Sequence, residues 1–203
     1  MNSSFQPDYA FSTDNCQSAI NLILSCKHNG YKRIMGVRVD FLIKEEFQQS
    51  MSFFEIQDYK TRLWNNRRGK TSIFEHCLGW VWALEYTEKA GYHYHCLFVF
   101  DADKVHADAY YGDQIGEYWM AISQGKGCYN NCNRNKQQYY HLGVGRIHLD
   151  SEKELSNLCN AVIPYLAKND DQVRSAIDCD AMAMGVLPMR VRTFGCSNNL
   201  KLW

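Results

Sequence analysis

The chain carries no net charge: 22 Lys and Arg are balanced by 22 Asp and Glu over 203 residues. Bulk charge therefore points to no nucleic-acid partner, and any such contact has to come from local clusters. No run of apolar residues reaches membrane-spanning length, so neither a transmembrane helix nor a membrane partner is expected. Met1 to Asn15 has neither a basic segment nor an apolar core, so no secretory signal is expected. The nine cysteines form no framework, and without an export signal they predict reduced thiols in a cytoplasmic protein. Cys128 and Cys132 with His141 nearby have loose spacing and no fourth ligand, which argues against a zinc knuckle. What remains is a chain long enough to bury one core, most economically a single domain over 1–203.

The chemistry concentrates in Gly91-Tyr92-His93-Tyr94-His95-Cys96-Leu97-Phe98-Val99-Phe100-Asp101. This run reads as an apolar strand, and side chains two apart on a strand share a face. His93 and His95 therefore aim into the same space. Upstream, Trp80 to Tyr86 reads as a second strand, with Thr87 to Gly91 as the turn. A hairpin centred on Lys89 pairs Thr87 with Gly91, Glu85 with His93, and Ala83 with His95. Directly paired residues share a face, so Glu85 joins the two imidazoles; a turn one residue longer or shorter sends it to the other side. Two imidazoles and one carboxylate suit a divalent metal without selecting Mn²⁺, Mg²⁺, Fe²⁺ or Zn²⁺. Packed histidines without a metal are the competing reading.

Around the hairpin the pattern predicts a helix over 14–29, a strand over 33–43, a helix over 45–64 and a helix over 103–122. It predicts a loop over 125–138, a strand over 139–149 and a helix over 151–168. A further helix or loop is expected over 171–184, and a strand and turn over 188–197. The order β-α-β-β-α-β gives an α+β class of the split βαβ, ferredoxin or RNA-recognition type. That arrangement is one antiparallel sheet with helices on one face and the metal ligands on the open face. Residues 1–32 form an N-terminal helical extension, 33–170 the core, and 171–203 a C-terminal segment. Arg67, Arg68, Lys70, Arg190 and Arg192 are basic clusters that could contact phosphate.

In the helix over 151–168, Tyr165 and Lys168 lie three apart and share a face, with Pro164 expected to bend the helix beside them. A nearby ammonium and a divalent cation both favour phenolate, the activation that covalent catalysis by tyrosine requires. The combination of Tyr92-His93-Tyr94-His95, Glu85 before it and Tyr165 with Lys168 downstream resembles the HUH endonucleases, tyrosine-dependent replication initiators that nick single-stranded DNA. More narrowly, 115–119, Gly125-Lys126-Gly127 and Arg192-Thr193-Phe194-Gly195 resemble the YagK/YfjJ group of phage and prophage proteins.

The resemblance implies His93, His95 and Glu85 as ligands of Mg²⁺ or Mn²⁺, Tyr165 as nucleophile, and Lys168 as its helper. It implies origin single-stranded DNA as substrate in a bacterial host, a 5′-phosphotyrosyl intermediate, and rolling-circle replication with host helicase and polymerase. Arg38 and Asp40 depart from the group's usual apolar, Thr-rich first strand, and no second tyrosine follows Tyr165 at the usual spacing. Tyr92, Tyr94, Tyr139 and Tyr140 are candidates for stacking unpaired bases. A non-catalytic nucleic-acid-binding module and a water-using metal hydrolase are the rival classes.

Overall fold

The computed structural model describes residues 9–187 and 190–200. Its framework is three long strands: β1 (Arg33–Ile43), β2 (Cys77–Thr87) and β3 (Gly91–Asp101). β3 lies between the other two and pairs antiparallel with both. The hairpin register is the one the turn predicts: Thr87 faces Gly91, Glu85 faces His93, and Ala83 faces His95. Gly91 takes φ +63° at the turn exit, a conformation that favours glycine.

Alternation divides the sheet into two faces. On one, Val37, Val39, Phe41, Trp82, Leu84, Tyr94 and Phe98 pack beneath α3 (Phe53–Asn66), α5 (Asp108–Ile122) and α8 (Asp171–Ala183). Tyr92 and Tyr94 belong to this core, which removes them as stacking candidates.

The other face is not open. Ile34, Val81, Ala83, Leu97 and Val99 are covered by α1 (Thr13–His28), through Ala19, Leu22 and Ile23. The chain that follows the sheet, through Leu158, Ile163 and Leu166, covers the rest. A sheet covered on both sides explains why β3 is almost wholly apolar, with ten of its eleven residues buried. The expectation of helices on one face and an exposed metal site is thereby corrected: apolar residues on both faces of β1 to β3 require two covers.

The far edge of β1 is shared by two short strands. β4 (Gly127–Asn131) pairs with 39–43, and β5 (Gly145–His148) pairs with 33–36. Strand structure therefore begins inside the stretch expected to be loop, and only four residues of the strand expected over 139–149 are extended. β1 is long enough to take two partners in succession. β6 (Phe194–Cys196) closes the opposite edge by pairing with β2. The result is a six-stranded antiparallel sheet in the order β4-β1-β3-β2-β6, with β5 beside β4 on β1. Pro188 and Met189, at the start of the strand and turn expected over 188–197, lie outside the described residues.

The helix expected over 45–64 is two. α2 (Glu45–Gln48) ends before Met51 is buried, and Ser52 restarts the chain as the cap of α3 by accepting from the Glu55 amide at 3.3 Å. Basic residues follow in a 3₁₀ turn over Arg67–Gly69, then α4 (Thr71–Phe74). The helix over 151–168 is interrupted as well: α6 (Glu152–Asn157), a π turn (Leu158–Val162), then α7 (Ile163–Leu166). Pro164 has no N–H for the regular ladder and its ring crowds the carbonyl four residues back. A wider turn just before it accommodates both.

Candidate metal centre

Glu85, His93 and His95 stand together on the face covered by α1 and α7. All three are buried, at 4%, 6% and 6% exposure, and one donor atom from each lies within 4.8 Å of the others. Glu85 Oε2 is 3.8 Å from His93 Nε2 and 3.5 Å from His95 Nε2.

The outer ring nitrogens are already occupied. His93 Nδ1 is 3.0 Å from the Gly91 carbonyl, which only accepts, so Nδ1 carries the proton. His95 Nδ1 is 2.6 Å from Asp40 Oδ1. Both contacts leave Nε2 as the atom turned toward Glu85. A carboxylate on the far nitrogen of a ligating histidine is the arrangement that fixes ring and tautomer in metal sites. Glu85 Oε1 is buried with no hydrogen-bond partner, an unsatisfied acceptor of the kind a cation would complete. The donor set thus fits a divalent ion, and among the described residues it is the one group of this kind.

Charge is distributed unevenly around the three. Burial alone would raise the Glu85 carboxyl, but His95 and Lys168 outweigh it and hold it down at about 2. Asp40 behaves likewise: burial is overcome by His95 and Arg38, and its carboxyl falls well below the usual range. Burial lowers His93, whereas in His95 the neighbouring Asp40 and Glu85 overcome burial and raise it.

The predicted nucleophile arrives from the cover. The Tyr165 ring meets the His95 ring edge-on at 5.2 Å between centroids. The Lys168 ammonium lies 5.5 Å from the Tyr165 ring centroid, and its Nζ donates to Glu85 Oε2 at 2.7 Å. The lysine is held there by the N-terminal segment, which bridges Phe11 to Lys168 and ties Ser12 N to Ala167 O at 2.9 Å. Burial pushes the Tyr165 hydroxyl up, with Arg38 opposing.

Two residues that the sequence reading noted only as departures prove central. Arg38 and Asp40 alternate on β1, so both project to this face. Asp40 pairs with His95 across β1 and β3, and the Arg38 guanidinium lies 4.4 Å over the Tyr165 ring. The signal was present as two charges at alternate positions of an otherwise apolar strand.

The basic candidates are elsewhere. Arg67 stacks at 4.2 Å on Trp80, whose side chain belongs to the opposite face, and the Lys70 ammonium lies 5.3 Å from the Tyr118 ring. Arg68 lines the same shallow cleft as Arg67. Arg190 is exposed, and Arg192 Nε donates to the Phe194 carbonyl at 2.7 Å. Among the described residues, none of the five hydrogen-bonds or ion-pairs with Glu85, His93 or His95.

With the centre placed, comparison with known protein families matches residues 2–197 to the YagK/YfjJ C-terminal domain. The chain belongs to this family. No curated protein and no solved structure matches it. In this YagK/YfjJ domain, the buried Glu/His/His group could hold a metal ion. Beside it a cleft of about 410 Å³ runs past Tyr165, lined also by Arg38, Tyr139, Tyr140 and His141. Tyr140 is 95% exposed there. No helix among the described residues is long and apolar enough to cross a membrane.

Proposed function

We propose that this domain is a replication-initiator endonuclease that nicks single-stranded DNA by tyrosine transesterification. The observation that carries the reading is the contact of Tyr165 with His95 in the buried Glu/His/His group, at the edge of an aromatic cleft. A strand order containing β4-β1-β3-β2 suits the split βαβ class on which the HUH reading rests.

Glu85, His93 and His95 would hold a divalent ion, Mg²⁺ or Mn²⁺, whose contribution is Lewis-acid polarisation of a non-bridging phosphate oxygen. Tyr165 attacks phosphorus, the bond from phosphorus to the 3′ oxygen breaks, and that oxygen takes a proton to become a 3′-hydroxyl. The tyrosine proton is released, and the 5′ phosphate remains on Tyr165 as a phosphodiester. Because the ester bond is exchanged rather than hydrolysed, a 3′-hydroxyl can reverse the step. Asp40 keeps His95 in its ligating orientation, and Lys168 balances the Glu85 charge. Tyr139 and Tyr140 offer rings for unpaired bases. The free 3′ end would prime rolling-circle synthesis by host helicase and polymerase.

One observation favours a non-catalytic single-stranded nucleic-acid-binding module instead. Burial pushes the Tyr165 hydroxyl up despite Arg38 and Lys168 nearby, and the Lys168 ammonium is hydrogen-bonded to Glu85. Incubation of the protein with labelled single-stranded DNA and Mn²⁺, followed by denaturing electrophoresis, separates the readings. The nickase gives a DNA–protein adduct that Tyr165→Phe and His93→Ala both abolish. Binding without adduct establishes the module, and cleavage that survives Tyr165→Phe establishes a hydrolase.

A further inference from the structure

Arg38 has more donors than the protein uses. Its side chain is only 13% exposed, its Nε is buried without a partner, and among the described residues its one polar side-chain contact is 3.5 Å from Nη2 to Asp40 Oδ1. That contact is at the limit of a hydrogen bond. Arg38 helps hold the Asp40 charge, but Asp40 has other hydrogen-bond partners. The carboxylate is already served by His95 at 2.6 Å on Oδ1, and by Asn130 and Cys132, each at 3.3 Å, on Oδ2. A guanidinium offers five N–H groups in a fixed fork, and burying it with most of them unmatched is costly. Its guanidinium carbon lies 4.4 Å from the Tyr165 ring centroid, and both side chains line the cleft.

The ligand's class follows from the surroundings. Among the described residues lining the 410 Å³ cleft, Arg38 carries the only permanent charge, so the complement is an anion. Asp40 and Glu85 lie close by and repel a second negative charge, which favours a monoanion over a dianion. Two equivalent oxygens on one centre match the fork. The flanking Tyr139 and Tyr140 rings suit the bases on either side of such a group. We propose that Arg38 and this cleft form a binding site for one phosphodiester group of the bound strand, with the guanidinium edge as the clamp that sets the phosphate against Tyr165. The choice of a nucleic-acid strand rests on the function proposed above; the anion site does not.

The test titrates metal-chelated protein with dimethyl phosphate, following the Tyr165 ring resonances by NMR. Inorganic phosphate, as the dianion, serves as the second arm. The expected result is a saturable shift with dimethyl phosphate that is lost in Arg38→Met, a variant that keeps an apolar side chain over the ring. Arg38→Lys, which keeps charge without the fork, binds more weakly. With an oligonucleotide, Arg38→Met lowers affinity about tenfold and reduces the salt slope by about 0.7, the effect of one phosphate contact on a single strand. No saturable shift in the unmodified protein overturns the proposal. So does a shift that persists in folded Arg38→Met, or one produced by inorganic phosphate alone. The titration needs no cleavage. A protein that binds dimethyl phosphate through Arg38 but forms no adduct sinks the nickase reading and spares this one; an adduct without the Arg38-dependent shift does the reverse.

Discussion

Asp40 and His95 face each other across β1 and β3, and their 2.6 Å contact decides which imidazole nitrogen is left for a ligand. Asp40→Asn replaces an acceptor by a group that can present N–H instead, so His95 loses its enforced tautomer. Loss of such an outer partner typically costs 10–100-fold in metal affinity, and about that fall is expected for Mn²⁺ by isothermal titration calorimetry. A fall of less than about twofold would show that the backbone alone orients His95. Glu85 poses the complementary case. Its unpaired Oε1 and its contact with Lys168 mean that one oxygen is satisfied and the other waits. A buried carboxylate left in that state is the local reason to look for a cation.

At the scale of elements, the π turn ahead of Tyr165 is held from outside by the loop before β5. A Cβ on Gly143 would stand 2.7 Å from Val162 Cγ2 and 2.8 Å from the Asn157 carbonyl oxygen. The second of these is backbone and cannot swing away. Gly143→Ala is therefore expected to cost about 1–3 kcal/mol in urea denaturation and to reduce adduct yield. Mn²⁺ affinity should be retained, because its ligands sit on β2 and β3. The segment between β4 and β5 has its own anchor. Asp113 accepts from Asn131 and Arg134, and Asp108 from Asn133 and Lys136. In both carboxylates burial acts upward but these partners prevail, so both carboxyls titrate below their usual range. Depressed folded values mean that the stabilisation is complete above the unfolded value of about 3.9 and disappears as pH falls through the lower folded values. Amide exchange in 131–138 should stay slow down to about pH 4 and accelerate below it. Protection unchanged at pH 2 would remove these ion pairs from the account.

For the whole molecule, Glu85, His93 and His95 belong to the sheet while Tyr165 and Lys168 belong to its cover, so an ion held by the three only in the folded state should stabilise the assembly. At 100 times its dissociation constant the gain is about 2.7 kcal/mol, which for a chain of this size raises Tm by about 5–10 °C. Calorimetry with Mn²⁺ should show that rise, and His93→Ala with His95→Ala should abolish it. The centre was readable in the sequence because its three members lie on one hairpin: strand periodicity and turn length are near-neighbour geometry, and they sufficed to put Glu85 opposite His93. The long strands β1, β2 and β3 and the helix α1 were readable for the same reason. The cover was not. That α1 and α7 close the second face, that β1 divides its edge between β4 and β5, and that Lys168 turns to Glu85 all depend on where distant chain segments come to rest. Asp40 meets His95 across 55 residues, and Lys168 meets Glu85 across 83. Contacts of that separation leave no local period in the sequence. The ligand hairpin was thus determined by the order of residues along the chain, whereas the surroundings that give those ligands their charge and tautomer were decided by tertiary packing.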